Sequence, residues 1–379
     1  MEKSKDIGIY IHIPFCKSKC EYCDFTSFTN KNDKFEAYKN ALIKEINSFT
    51  QLENYNITTI FIGGGTPTVF PSYFIKEILG AVYRYNVSEN AEITIESNPN
   101  TLNLNLLNDL KHMGINRISM GLQAWQDKHL KRIGRSHKLG EFLESYNNAK
   151  IVGFENINID LMFSLPDSSF DEWVDTLENV VKLSPTHIAA YSLALEEETP
   201  FSKQYDKGLL NLPSEDEDRE MYSYTRQFLK HHGYFQYEIS NFARSNFESR
   251  HNTLYWKRVN YKGFGLASHS FFEGVRTSTI SCLDKYIEFS ENSQNITAES
   301  HLVTREDSMS EFMFLGLRLN EGISKAEFRK NFSVNVGDIF GEVIQENVAK
   351  KLLVSEKDRI YLTEKGIDIS NYVLCDFLL

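Results

Sequence analysis

Two hydrophobic rhythms alternate along the first half of the chain. Short apolar, β-branched runs recur at residues 7–13, 58–62, 92–95, 116–120, 156–162 and 187–191. Between them, residues 34–49, 71–85, 103–112, 140–152 and 170–183 repeat their apolar positions every three to four residues, the spacing that gives a helix one buried face. Asp33 is placed to cap the first of these helices and Gly114 to stop the third. Strands separated by helices of this size predict βα units around a parallel sheet. Six strands fall short of the eight that close a complete barrel, so the expected fold is an α/β, open, partial (β/α)6 barrel.

The pattern changes beyond residue 200. Residues 215–230 read as a charged helix and residues 234–272 as an aromatic-rich stretch. Helices follow, then a hairpin around Ser355 to Asp358, then Thr363-Glu364-Lys365-Gly366 opening a last helix. That order predicts a small, mainly helical, winged-helix-like C-terminal domain. The expected divisions are residues 1–230 for the barrel, 231–298 for an extension, and 299–379 for the terminal domain.

In parallel βα architectures the working residues gather at the C-terminal ends of the strands. The unusual residues fall there. A cysteine loop follows the first strand, and Gly63-Gly64-Gly65-Thr66-Pro67-Thr68 follows the second. Glu96 ends the third, Gln123 lies just past the fourth, Asp160 lies in the fifth, and Ala194 just past the sixth. Taken singly, Glu96 and Asp160 read as salt-bridge or capping residues; their shared strand-end placement makes them site candidates. The glycine run is not a P-loop, because no Lys-Ser or Lys-Thr follows it, and residues 263–268 break the dinucleotide fingerprint at its last position.

Cys16-Lys17-Ser18-Lys19-Cys20-Glu21-Tyr22-Cys23 has the spacing C-x3-C-x2-C. Three thiolates on one short loop can hold three irons of a [4Fe-4S] cube. The fourth iron is left open to chelate the amino and carboxylate groups of S-adenosylmethionine (SAM), whose reductive cleavage yields a deoxyadenosyl radical. The alternative is a zinc site, but structural zinc takes four ligands, usually as two pairs, and Cys282 and Cys375 stand alone. His12, beside the loop, reads as a packed histidine.

Composition narrows the setting. A net charge of -11 argues against a nucleic-acid surface, which needs clustered Lys and Arg. It favours an internal lid or docking role for the winged-helix-like domain. The opening Met1-Glu2-Lys3-Ser4-Lys5-Asp6 is polar and no apolar core of a leader follows it. Three clustered thiols without an export signal point to a reducing cytoplasm.

Together, Tyr10-Ile11-His12-Ile13-Pro14-Phe15-Cys16 through Cys23-Asp24-Phe25, the glycine run, Ile93-Thr94-Ile95-Glu96, residues 117–123 and Asn158-Ile159-Asp160-Leu161 resemble the HemN/HemW branch of the radical SAM superfamily. That branch includes oxygen-independent coproporphyrinogen III oxidase and heme chaperones. The resemblance implies a cluster on Cys16, Cys20 and Cys23. It also implies SAM contacts from Tyr10, Tyr22, Gly64, Gly65, Thr66, Glu96, Gln123, Arg135, Asp160 and Ala194. The glycines would let the backbone approach the methionyl group of SAM. Two features separate the chaperones from the oxidases. The oxidases carry a fourth cysteine where this chain has Phe25, and an N-terminal extension for which the first strand, beginning near Ile7, leaves little room. His251-Asn252-Thr253-Leu254-Tyr255-Trp256 matches the H-N-x-x-Y-W motif of the chaperone type. It supplies an imidazole able to ligate heme iron and, in Tyr255 and Trp256, aromatic faces for a flat macrocycle. Lys257 and Arg258 are placed to meet propionates.

The resemblance thus implies a heme chaperone using the cluster, SAM and heme. Its partners would be an electron donor for the cluster and acceptor hemoproteins, possibly respiratory enzymes reached at the inner face of the membrane. The rival readings are radical SAM decarboxylation of coproporphyrinogen III, which Phe25 puts in doubt, and a zinc-bearing nucleic-acid regulator.

Overall fold

The computed structural model describes residues 5–379; residues 1–4, part of the polar opening read above, lie outside them. The six expected strands form β1 (Lys5–Ile13), β2 (Tyr55–Gly64), β3 (Val87–Ser97), β4 (Arg117–Gln123), β5 (Asn156–Phe163) and β6 (His187–Ser192). Each lies parallel to the next in chain order. The helices are α1 (Phe35–Ser48), α2 (Ser72–Val82), α3 (Leu104–His112), α4 (Asp127–Arg132), α5 (Leu139–Val152) and α6 (Phe170–Leu183). At six residues, α4 is too short to show a helical period. The bounds of α6 coincide with the expected ones because Ser169 and Glu172 form a capping box at its start.

Asp33 does not cap α1. Residues Asn32–Lys34 form one 3-10 turn that runs straight into the helix, and the N-cap position falls to Lys34 in helical backbone, with no side-chain cap. A capping side chain needs the extended backbone that this continuous turn denies. Gly114 does end α3, in left-handed backbone.

Successive side chains of a strand point to opposite faces. One face of this sheet carries Ile7, Ile9, Ile11, Ile60, Ile62, Ile93, Ile95, Ile118, Ile157 and Ile159, all buried in the main hydrophobic cluster with the helices. The other face, which lines the barrel interior, carries Tyr10, Thr59, Glu92, Thr94, Glu96, Arg117, Ser119, Asn158, Asp160 and His187. Such polarity is unusual for parallel strands, which are commonly apolar on both faces. It marks the interior as a polar chamber and not a second core.

The sheet also extends past the six strands. Asn241–Ala243 pairs antiparallel to β6, and Tyr261–Phe264 pairs parallel to β1. Phe235–Glu238 pairs with Asn241–Ala243 at one edge, and His269–Phe272, Val275–Thr279 and Thr297–Leu302 continue the other, giving this sheet twelve strands among the described residues. The sheet therefore takes strands from both sides of the helix Glu215–His231, and its last strand spans residue 298. A second hydrophobic cluster, with Met313, Phe328, Phe340, Val373 and Phe377 at its centre, holds the C-terminal helices on a three-stranded sheet. The hairpin Leu353–Glu356 with Arg359–Leu362 and the Thr363-capped helix Glu364–Asp368 stand where the sequence places them. Glu311 fastens this body to the large sheet by accepting from Arg258 at 2.9 Å and Arg276 at 2.8 Å. No helix among the described residues is long and apolar enough to cross a membrane.

Candidate functional site

The cysteine loop leaves β1 at the mouth of the barrel. It is closed at its base, where Phe28 N–H donates to Pro14 O at 2.7 Å and Cys16 N–H donates to Phe28 O at 3.0 Å. Its middle is pinned from outside. Glu21 N–H donates to Ile133 O at 3.1 Å, and Glu21 O accepts from Phe201 N–H, the first turn of the helix Pro200–Tyr205, at 3.0 Å. Cys16, Cys20 and Cys23 are free and half-buried on this frame. Two of the sulfurs have donors: Thr66 Oγ1 lies 3.6 Å from Cys16 Sγ, and Arg135 Nη1 lies 3.8 Å from Cys20 Sγ. Burial pushes the Cys16 thiol up, and the Cys23 thiol up to about 11. Metal binding to this loop must therefore displace protons. Phe25, at the place of the oxidases' fourth cysteine, is 62 % exposed.

The glycine run packs directly against this loop. Gly65 N–H donates to Ile13 O and Thr66 N–H to Phe15 O. A Cβ on Gly65 would stand 2.6 Å from Phe15 O, and one on Gly64 would stand 2.5 Å from the His12 ring. The glycines thus first admit the chain's own neighbours. That close approach gives them a structural reason beyond the one expected from the sequence. His12 is buried, with Nδ1 bonded to Tyr10 Oη and Nε2 to Thr26 O, both at 2.9 Å, and burial lowers its pKa. It is a packed histidine with no free nitrogen. Tyr10 also stacks on Phe61.

Glu96 accepts from Gly64 N–H at 3.1 Å. Burial, then the nearby Asp160 carboxylate, pushes its pKa up to about 7, against the pull of Gly64 N–H and Arg117. Asp160 accepts from Asn158 Nδ2 at 2.7 Å and Ser119 Oγ at 3.2 Å, and burial raises its pKa too. Two carboxyl groups and one guanidinium thus face the same chamber, where the carboxyls can accept hydrogen bonds from a bound ligand. Gln123, in left-handed backbone at the end of β4, accepts from Tyr191 Oη at 3.0 Å. Tyr22 leans against Arg135 beside Cys20, and both its burial and its thiol neighbours raise its pKa, which Arg135 opposes. Ala194 is exposed in the loop after β6.

Several chamber residues were not singled out from the sequence. Arg117 is 2 % exposed and its Nε has no partner. His187 bonds Asn158 Oδ1 at 2.5 Å and Tyr237 Oη at 2.9 Å. Each lies on a strand at an interior-facing position. The alternation of charge with isoleucine was the available signal.

The H-N-x-x-Y-W segment forms the helix Arg250–Trp256. Glu92 caps it from inside the barrel, accepting from Arg250 N–H and His251 N–H. His251 is 1 % exposed. Its Nδ1 is bonded to Thr59 Oγ1 and its Nε2 to Tyr255 Oη, both at 2.7 Å, and burial, then Arg117, lowers its pKa to about 3. The first turn of this helix thus faces the chamber, and both nitrogens of His251 are engaged. Tyr255 turns inward with it. Trp256 faces the other way, under Arg318 at 4.4 Å, with its Nε1 unpartnered. It lines a cleft of ≈ 280 Å³ with Lys257, Arg258, Phe312, Leu319 and Arg359.

A cysteine loop at the mouth of an open parallel barrel defines the class of radical SAM proteins, and the profile described as the Radical SAM superfamily matches residues 10–180. The profile of the HemN C-terminal domain matches residues 303–369. Over 372 residues the chain is 36% identical to the heme chaperone HemW of Bacillus subtilis (strain 168), covering 97% of this chain and 98% of that protein. It is 31% identical over 388 residues to HemW of Escherichia coli (strain K12), covering 100% of both. The solved structure of coproporphyrinogen III oxidase (HemN) from Escherichia coli has the same fold, with a TM-score of 0.87 at 22% identity over 99% of this chain and 90% of that one. The chain belongs to the HemW family of the radical SAM superfamily. That membership implies a [4Fe-4S] cluster and SAM, and three half-buried thiols on one braced loop fit the first of these.

Proposed function

We propose that this protein is a heme chaperone whose cluster is held by Cys16, Cys20 and Cys23, with an iron corner left for SAM. The observation that carries the cluster reading is the loop itself: three thiols, two of them with buried or half-buried donors to sulfur, on a frame tied at three points. When bound, the cluster supplies an electron and the SAM a cleavable sulfonium. The chain's own residues bind and orient. Glu96 and Asp160 would accept hydrogen bonds from the N–H and O–H groups of SAM. Gln123 and Arg135 flank it, while Tyr10 and Tyr22 wall the mouth and exclude water. Thr66 and the glycines hold the loop in register, and Ala194 marks the outer rim.

Heme is the cargo in this reading, bound at the Trp256 end of its motif. The supporting feature is the cleft's make-up: Trp256, Phe312 and Leu319 offer apolar contact, and the exposed Lys257 and Arg359, which share Glu321 at 3.0 and 3.9 Å, are the cations that propionates would compete for. His251 and Tyr255 brace the helix from within and come free for iron only if the helix turns. Delivery is to acceptor hemoproteins, respiratory ones among them, from the cytoplasm and at the inner face of the membrane, with a separate electron donor serving the cluster. Heme titration by absorbance tests the site. Trp256→Ala is expected to weaken binding about tenfold or more, the scale of losing one buried aromatic contact, while His251→Ala keeps the wild-type spectrum. A spectrum changed in His251→Ala, in folded protein, would return the axial role to His251. Anaerobic formation of protoporphyrinogen IX from coproporphyrinogen III at enzyme-like rates would favour the oxidase instead.

A further inference from the structure

Arg135 occupies a position built for a cation beside the cysteine loop. It follows Gly134, which is in left-handed backbone and where an added Cβ would stand 3.2 Å from Glu21 N and 3.5 Å from Cys20 Cα. The side chain then turns into the barrel mouth. Nη2 donates to Gly121 O at 2.5 Å, and Nη1 points to Cys20 Sγ at 3.8 Å. The seat exists because position 121 has no side chain, since a Cβ there would stand 2.7 Å from Nη2. Nε has no partner. Tyr22, Tyr191, Asp160 and His137 are other titratable groups around it. Lys19, the nearest other cation on the loop, is exposed and donates to Phe25 O. Thr66, at Cys16, is neutral.

We propose that Arg135 sets the reduction potential of the cluster by stabilising its reduced form through the Cys20 sulfur, apart from any contact with SAM. The inference rests on the cluster reading above. One-electron reduction adds negative charge to the cluster. A fixed guanidinium in a low-dielectric mouth, bonded to one thiolate, favours that charge more than water or a neutral donor does. Loss of the cation makes the cluster harder to reduce.

The test is an EPR-monitored redox titration of anaerobically reconstituted protein, run first without SAM, after iron and sulfide have been measured in each sample. Arg135→Gln is expected to move the midpoint to more negative potential. The ratio of reduced to oxidised cluster at the wild-type midpoint would fall about tenfold, equivalent for one electron to about 59 mV. Arg135→Lys, which keeps the charge, is expected to lie between. If Arg135→Gln loses its cluster, Gly121→Ala decides: it leaves every charge in place but pushes the guanidinium off its seat, and is expected to shift the midpoint in the same direction. An unchanged midpoint in cluster-replete variants, or a shift seen only with SAM added, overturns the proposal. Wild-type protein lacking iron and sulfide would remove the cluster reading itself, and this inference with it.

Discussion

Glu96 shows how one residue ties stability to binding. Its carboxyl is buried and keeps its proton up to about pH 7, whereas an unfolded glutamate ionises near about 4.3. Below both values the group is neutral in either state and costs nothing. As pH rises between them the unfolded chain ionises first, so stability is lost across roughly pH 4 to 7 and stays lost above it. The shift corresponds to a cost on the order of 3 kcal/mol at pH 8. Glu96→Gln is therefore expected to raise the melting temperature of the cofactor-free protein at pH 8 and to flatten its pH dependence, while weakening SAM binding measured by calorimetry. A variant equally unstable at pH 8 would show that Glu96 is not under that strain. At the same scale, Gly64→Ala sets a Cβ in left-handed backbone against His12. A destabilisation of about 2 kcal/mol or more is expected in urea denaturation.

At the scale of elements, the six strands and five of the flanking helices were legible because each long element carries its own period. Isoleucine on every second residue of residues 7–13 shows a strand, and the capping pair Ser169 and Glu172 shows where a helix begins. Asp33 misled because a capping residue type does not reveal that a 3-10 turn precedes it. The His251 motif gave the right segment but not its facing: a seven-residue helix can turn either side inward, and the choice is made by Glu92, 159 positions away. Arg117 and His187 were missed for a related reason, since a charge at a strand's start reads as exposed until the barrel closes over it. The antiparallel flanks of the sheet depend on pairings between distant short runs, which no local period records. The tie between the helix Arg305–Gly316 and the large sheet is also non-local. Glu311 is largely buried between Arg258 and Arg276, so Glu311→Ala leaves two unpaired cations. A loss of roughly 3 kcal/mol is expected, with faster amide exchange concentrated in that helix. Exchange unchanged there would mean the terminal body is held by its apolar contacts alone.

Across the whole molecule, the polar chamber stands between two openings. At the strand ends lie the cysteines, Glu96, Asp160 and Arg135. Behind them the chamber reaches through His251 and Tyr255 to Tyr261, whose ring meets Tyr255 at 4.6 Å and whose hydroxyl accepts from Arg276. That chain of contacts ends at Glu311 and the cleft beside Trp256. The cofactor end and the proposed cargo end thus share one packed network, a route by which occupancy at one could be felt at the other. All of it presupposes a cluster whose three protein ligands are thiolates of one loop. The most direct test is iron and acid-labile sulfide analysis of anaerobically reconstituted wild type and Cys23→Ala, with EPR of the reduced samples before and after SAM. The expected result is about four irons and four sulfides per wild-type chain, a reduced-cluster signal that changes on adding SAM, and loss of both in Cys23→Ala. Protein free of sulfide, with all three loop thiols open to alkylation, would contradict the account.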